Sequence, residues 1–176
     1  MARVFVTGSA DGLGKMAAEL LIEQGHNVVL HARSAARADE TRNKIIGAED
    51  IVVGDLSSIA DTKSVAEQVN KLGRFDAVIH NAGIGYREPK LVKTADGLPQ
   101  LFAVNTLAPY ILTAAIKMPK RLVYLSSGMH YGAGSRMPAA HLETWFRRRL
   151  GSRSNAAFSH SMSSRCVVLC SMTPPK

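Results

Sequence analysis

The segment Thr7-Gly8-Ser9-Ala10-Asp11-Gly12-Leu13-Gly14 constrains this chain more than any other. It follows the largely apolar run 2–6, in which only Arg3 is charged, and opens a helix-like stretch over 13–24 that stops at Gly25. A buried strand, a glycine turn and a helix start together form an anion cradle. The first N–H groups of a helix have no intrahelical partner, and the helix dipole adds positive potential there. Gly8, Gly12 and Gly14 suit such a turn because a Cβ would forbid its conformation or hold a phosphate away. The spacing is G-x3-G-x-G, which differs from the common G-x-G-x-x-G fingerprint of dinucleotide sites.

Strand-like and helix-like segments alternate through the next hundred residues. Residues 27–31 read as a strand buried on both faces. A helix over 35–46 follows, with Ser34 as N-cap and Gly47 as stop. A short third strand over 51–54 is closed by Asp55-Leu56, and Val65, Ala66, Val69 and Leu72 give 61–72 a helical period ending at Gly73. A fourth strand over 76–80 runs into Asn81-Ala82-Gly83. A polar loop then reaches about Gly97, followed by a long helix over 98–117 and a fifth strand over 121–125. This alternation predicts an α/β fold: a doubly wound, Rossmann-like parallel sheet with right-handed crossovers, incomplete at its C-terminal end. Residues 1–128 are read as the dinucleotide-binding core, and 129–176 as an altered or truncated active-site segment and basic tail of the same domain.

Composition sets outer limits. A chain of 176 residues with 46% apolar and 20% charged residues describes one globular domain. No apolar run approaches membrane-spanning length, and the first strand begins too early for a secretory signal. Cys166 and Cys170 make no disulfide framework, so a cytoplasmic setting is expected. With His160 they are too scattered to define a metal site, and no metal is expected. The net charge of +8 lies in the last third: residues 1–119 carry 13 basic and 13 acidic side chains, whereas 120–176 carry nine basic and only Glu143. The few aromatics interleaved there argue against a specific nucleic-acid surface and for a basic, poorly folded tail.

In a doubly wound sheet the ligand lies beyond the carboxyl ends of the strands. The segments brought there are the glycine turn, residues 31–34, Asp55-Leu56, Asn81-Ala82-Gly83 and Ser126-Ser127. Together they resemble the short-chain dehydrogenase/reductase family. Thr7-Gly8-x3-Gly12-x-Gly14 matches its cofactor turn, with Ser9, Asp11 and Leu13 among the residues lining it. Asp55-Leu56 matches the adenine-contacting pair, and His80-Asn81-Ala82-Gly83 resembles the family's Asn-Asn-Ala-Gly. Asn105 matches the helix asparagine and Ser127 the active-site serine. The stretch from Thr94-x-Asp96-Gly97 to Phe102-x-Val104-Asn105 looks like the retinol-dehydrogenase-like branch, with Pro99 in place of an acidic residue. The resemblance implies hydride transfer between a nicotinamide cofactor and a small-molecule carbonyl/alcohol pair.

Two residues refine this expectation. A carboxylate at the end of the second strand would hold both ribose hydroxyls and repel a 2′-phosphate. That position is Ala32, and Arg33 follows it, with Ser34 and Arg37 nearby. A guanidinium forks onto phosphate, so NADP(H) is expected ahead of NAD(H). Pro109, four residues after Asn105, has no N–H to give the Asn105 carbonyl and is expected to kink the helix. In the family the matching carbonyl holds a water of the proton relay.

The resemblance weakens after Ser127. The family's acid–base pair is a tyrosine and a lysine four residues later, the lysine lowering the phenol pKa. In the segment 155–162, Phe158 stands at the tyrosine position and Met162 at the lysine position, and neither carries a proton. Tyr86 with Lys90 has the right spacing, but Pro89 lies between them; Tyr131, His130 and His160 are the other conceivable acids. Two readings follow: an oxidoreductase scaffold that has lost its acid–base pair, or a catalytically inactive NADP(H)-binding or interaction protein. The reading of the tail leaves strand edges for a partner chain to cover, so a homo-oligomer stays open.

Overall fold

The computed structural model describes residues 1–85, 92–126 and the backbone of 166–170. Six parallel strands form one sheet in the order β3-β2-β1-β4-β5-β6. They are β1 (Arg3–Val6), β2 (Asn27–Ala32), β3 (Asp50–Val53), β4 (Ala77–His80), β5 (Arg121–Ser126) and β6 (Cys166–Cys170). The order reverses between β1 and β4, which opens the crevice of a doubly wound fold at their carboxyl ends.

Strand alternation supplies a core on each face. Val4 and Val6 of β1 join Val28 and Leu30 of β2 under Ala18 and Ile45, which belong to α1 (Gly12–Glu23) and the end of α2 (Ala35–Lys44). Phe5 and Val29 point the other way, to Val65 and Val69 of α3 (Ile59–Leu72) and Leu112 of α5 (Ala108–Ala115). Phe5, Val28, Val29 and Leu30 are inaccessible to solvent, as strands covered on both faces must be. The start of α2 follows the sequence reading, whereas α3 begins at Ile59, two residues before the expected start at 61, with Ser58 as its cap. Ser34 Oγ accepts from the Arg37 N–H (3.4 Å), and Ser58 Oγ from the Asp61 N–H (3.2 Å).

Two expectations are corrected. The single helix expected over 98–117 is three joined segments: α4 (Gln100–Phe102), a π turn (Ala103–Leu107) and α5. The Ala108 N–H reaches back five residues to the Ala103 carbonyl, so the ladder widens just before Pro109, where it lacks a donor. Residues 166–170, read above as part of an unfolded basic tail, form β6. It lies parallel to β5, with Leu122 opposite Cys166 and Ser126 opposite Cys170, so β5 is not an edge strand. The short apolar run Val167-Val168-Leu169 carries that strand signal, and the surrounding serines and arginines mask it.

Candidate functional site

The turns after β1 and β4 are stitched into one unit by side chains of both. Thr7 is buried, and its hydroxyl accepts from the N–H groups of Asn81 and Ala82, each at 3.0 Å. It donates in turn to the Ile79 carbonyl at 3.3 Å. The Asn81 side-chain amide donates to the carbonyls of Thr7 (3.0 Å) and Gly8 (3.1 Å). Asn81 therefore fixes the shape of the glycine turn from the neighbouring strand.

The three glycines do different work. Gly8 has φ +64° and lies so close to Ala82 that an added Cβ would sit 2.8 Å from its Cα. A Cβ on Gly14 would fall 2.3 Å from both the Gly8 carbonyl oxygen and the Asn81 amide nitrogen. These two positions are closed by the protein itself. Gly12 also has positive φ (+53°), but a Cβ there would meet nothing within 4 Å. Its side-chain direction is open, as a surface that admits a ligand to the backbone must be.

The helix start is anion-ready apart from one residue. Asp11 caps α1, its Oδ1 accepting from the Gly12 N–H at 2.8 Å. The N–H groups of Leu13 and Gly14 have no hydrogen-bond partner among the described residues. The exposed Asp11 carboxylate also pairs with Arg37 across the gap between α1 and α2 (3.5 Å), while Arg37 holds Glu40 at 2.8 Å. Arg33 is exposed directly beyond β2 and makes no ion pair among the described residues. Two guanidiniums thus flank the end of β2, beside the glycine turn.

The remaining expected residues divide by location. Ser9 is fully buried: its hydroxyl donates to the Val6 carbonyl (3.0 Å) and accepts from the His31 N–H (2.8 Å), so its side chain is committed to the protein itself. Leu56 lies in the core beside Val65, which leaves its backbone as the part able to line a site. Asp55 is exposed and its Oδ1 accepts from the Ser57 N–H at 2.8 Å. Ala82 and Gly83 continue the turn after β4. Asn105, carried by the π turn, reaches back to the same loop: its Oδ1 accepts from the Ile84 N–H (2.9 Å) and its Nδ2 donates to the Ile84 carbonyl (3.0 Å). Ser127, Phe158 and Met162 lie outside the described residues, as do Tyr86, Lys90, His130, Tyr131 and His160.

Sequence reasoning missed His31. Its buried imidazole joins two strand ends: Nδ1 accepts from the Gly8 N–H (3.0 Å), and Nε2 faces the Gly54 carbonyl at 2.9 Å. Those partners assign the Nε2–H tautomer. Burial lowers its pKa, partly opposed by the bond to Gly54 and by the Asp55 charge. Gly54 matters as well, since a Cβ there would collide with Val65 Cγ2 at 2.6 Å. A polar residue within an apolar strand was the signal, but period alone does not tell a bridging histidine from a solvated one. A cavity of about 320 Å³ lies elsewhere, between α3 and α5, lined by Lys63, Glu67, Asn70 and Tyr110 among others.

Known proteins match this arrangement. The short chain dehydrogenase family model matches residues 2–122. An uncharacterized oxidoreductase, AN7799 of Emericella nidulans, is 59% identical over 134 residues, 75% of this chain and 52% of that protein. The short-chain dehydrogenase chyC of Penicillium rubens is 47% identical over 130 residues, 74% of this chain and 50% of that protein. Human retinol dehydrogenase 14, from the branch the sequence resembles, is 30% identical over 155 residues, 73% of this chain and 46% of that protein. Among solved structures, a blue fluorescent protein from a metagenomic library in complex with NADPH superposes with a TM-score of 0.59 at 26% identity, covering 76% of this chain and 58% of that one.

The chain belongs to the short-chain dehydrogenase family. It spans about half the length of the curated relatives it matches. Among the described residues, no helix is long and apolar enough to cross a membrane.

Proposed function

We propose that this chain is the NADP(H)-binding part of a short-chain oxidoreductase acting on a carbonyl/alcohol pair. The observation that carries this reading is the open Gly12 position beside the unpartnered N–H groups of Leu13 and Gly14, with Arg33 and Arg37 at the end of β2. A pyrophosphate fits the first feature, and the second offers charge to a 2′-phosphate. The NADPH complex of the metagenomic protein supports the same assignment by similarity. When bound, the cofactor supplies hydride at C4 of its nicotinamide ring. The chain's own residues hold the phosphates at the α1 start and fix the turn after β4 through Thr7, Asn81 and Asn105.

Titration calorimetry with NADPH and NADH tests the reading. Charge-assisted binding of a phosphate by Arg33 is worth about 1.5–3 kcal/mol, so NADPH is expected to bind roughly tenfold to a hundredfold more tightly. Arg33→Ala removes most of that preference. Equal affinities, or a preference that survives Arg33→Ala, overturn the NADP(H) assignment.

The sequence supports a second reading for the chemistry, because Phe158 and Met162 stand where the family has its tyrosine and lysine. On that reading the chain binds NADP(H) without turning over. NADPH consumption across a panel of aldehydes, ketones and quinones separates the two. Turnover that vanishes on Ser127→Ala supports the enzyme, and binding without turnover supports the inactive form.

A further inference from the structure

We propose that His31 is a positioning residue for the phosphate turn, and that its neutral Nε2–H imidazole is the form in which this chain binds a dinucleotide. The proposal rests on the cofactor reading above and adds a requirement to it.

The geometry begins with Gly8. The last bond from β1 toward β4 is the Thr7 N–H donating to the Ile79 carbonyl (2.9 Å), after which the chain turns away with φ +64° at Gly8. The Gly8 N–H has left the sheet ladder and no backbone carbonyl receives it. A buried N–H without a partner is costly. His31 Nδ1 accepts it at 3.0 Å. The other face of the residue is pinned by the Asn81 amide on the Gly8 carbonyl (3.1 Å), so the flanking peptides are held from β2 on one side and β4 on the other.

His31 is itself held at three atoms, Nδ1 being the first. Its Nε2–H donates to the Gly54 carbonyl beyond β3 (2.9 Å). Its backbone N–H donates to Ser9 Oγ (2.8 Å), and that hydroxyl donates to Val6 (3.0 Å). Only 4% of the residue is exposed. Turn, strand and imidazole therefore form one closed unit, and the direction of the free N–H groups at Leu13 and Gly14 depends on it.

Protonation inverts one bond of that unit. A proton on Nδ1 would face the Gly8 N–H donor to donor, and the turn must shift to separate them. Asp55, beyond β3, is the charge that favours the proton, and burial opposes it. Of the other charges nearby, Asp11 in the β1–α1 turn is paired with Arg37 of α2, and Asp61 of α3 accepts from the Asp55 N–H.

The test measures NADH and NADPH affinity by calorimetry at about pH 8 and about pH 5 in the unmodified chain, His31→Asn and His31→Leu, with circular dichroism confirming the folded fraction in each buffer. NADH removes the titrating 2′-phosphate from the comparison. Because burial lowers the His31 pKa, the unmodified chain is expected to keep its NADH affinity from about pH 8 to about pH 5. His31→Asn places an oxygen where Nδ1 lies, and should retain affinity at both values. His31→Leu, lacking the acceptor, should bind about tenfold more weakly at both values. Nitrogen NMR of the unmodified imidazole gives a readout even if a variant fails to fold: saturating cofactor should displace the His31 titration further toward acid.

Failure of the unmodified chain to bind either cofactor at about pH 8 refutes the cofactor reading itself. Binding there with full affinity in His31→Leu, with affinity lost in His31→Asn, or with an imidazole titration indifferent to cofactor each refutes the role of His31 alone.

Discussion

Asn105 and Ile84 exchange a reciprocal pair of hydrogen bonds, side-chain oxygen to N–H at 2.9 Å and side-chain nitrogen to carbonyl at 3.0 Å. The pair ties the loop after β4 to the π turn that carries Asn105. The same loop is tied to the glycine turn by Thr7 and Asn81. Three segments that are distant in sequence thus share one frame, and no single helix or strand provides it.

Replacing Asn105 tests that frame. Asn105→Ala removes both bonds at an exposed position, and about 1 kcal/mol of stability or less should go with them. Asn105→Asp keeps the acceptor but sets a carboxylate oxygen against the Ile84 carbonyl, so it should destabilise at least as much. Urea denaturation of the two variants checks this order; an aspartate variant as stable as the unmodified chain would show that the Nδ2 bond contributes nothing.

The glycines of the turn should separate folding from binding. Gly14→Ala presses a Cβ on the Gly8 carbonyl and the Asn81 amide, so it should cost several kcal/mol or prevent folding. Gly12→Ala meets no protein atom and pays only for its positive φ, about 1 kcal/mol. Its methyl, however, occupies the open side of the cradle. Thermal denaturation and NADPH titration of Gly12→Ala should therefore show a modest loss of stability beside a loss of affinity of tenfold or more. Normal affinity would mean the phosphates lie elsewhere.

How far the sequence revealed these features depended on whether the signal was local. The strand–turn–helix order, the cap Ser34 and the glycine spacing are written in contiguous residues, and the fold follows from them. Thr7 was legible as part of a motif, but its two accepted bonds from the β4 turn depend on strand order. The His31 bridge was not legible because its partners, Gly8 and Gly54, are each 23 residues away and both are backbone groups, which carry no residue code. The π turn was half visible: Pro109 marked a break, and only the backbone decides between a kink and a widened turn.

Acid should destabilise the fold through His80. The side chain is buried at the end of β4, stacked on Tyr124 with ring centroids 4.8 Å apart. Its Nε2 meets Thr113 Oγ1 at 3.1 Å, and Nδ1 has no partner among the described residues. Burial pushes its pKa down to about 4. The folded value lies below the unfolded one of about 6.5, so the unfolded chain takes up the proton first. Stability is therefore complete above about pH 6.5 and declines as pH falls toward 4, by about 3 kcal/mol in all. His31, also lowered, adds in the same direction. Urea midpoints measured across this range for the unmodified chain and His80→Asn, the residue the family carries here, should converge in acid. A variant with the same pH slope would assign the acid sensitivity to other groups.

Asp11 supplies the last test, because it places a negative charge where the cofactor reading requires an anion. Its Oδ1 caps α1 through the Gly12 N–H, and its other oxygen lies 3.5 Å from Arg37. Those roles make opposite predictions for Asp11→Asn. The amide oxygen still caps the helix, so little stability is at stake: the ion pair is exposed and contributes a few tenths of a kcal/mol. Removing the charge relieves repulsion of a pyrophosphate at the helix start and frees Arg37 from one of its two partners, Glu40 remaining. NADPH affinity should rise by about twofold to fivefold at low salt, and the gain should shrink as salt screens the charge. Asp11→Ala removes cap and charge together and should lose about 1 kcal/mol of stability while keeping the gain in affinity. Calorimetry at two ionic strengths reads all of this. If Asp11→Asn instead weakens NADPH, the carboxylate is itself a ligand contact, accepting from a hydroxyl of the cofactor, and the repulsion argument is wrong.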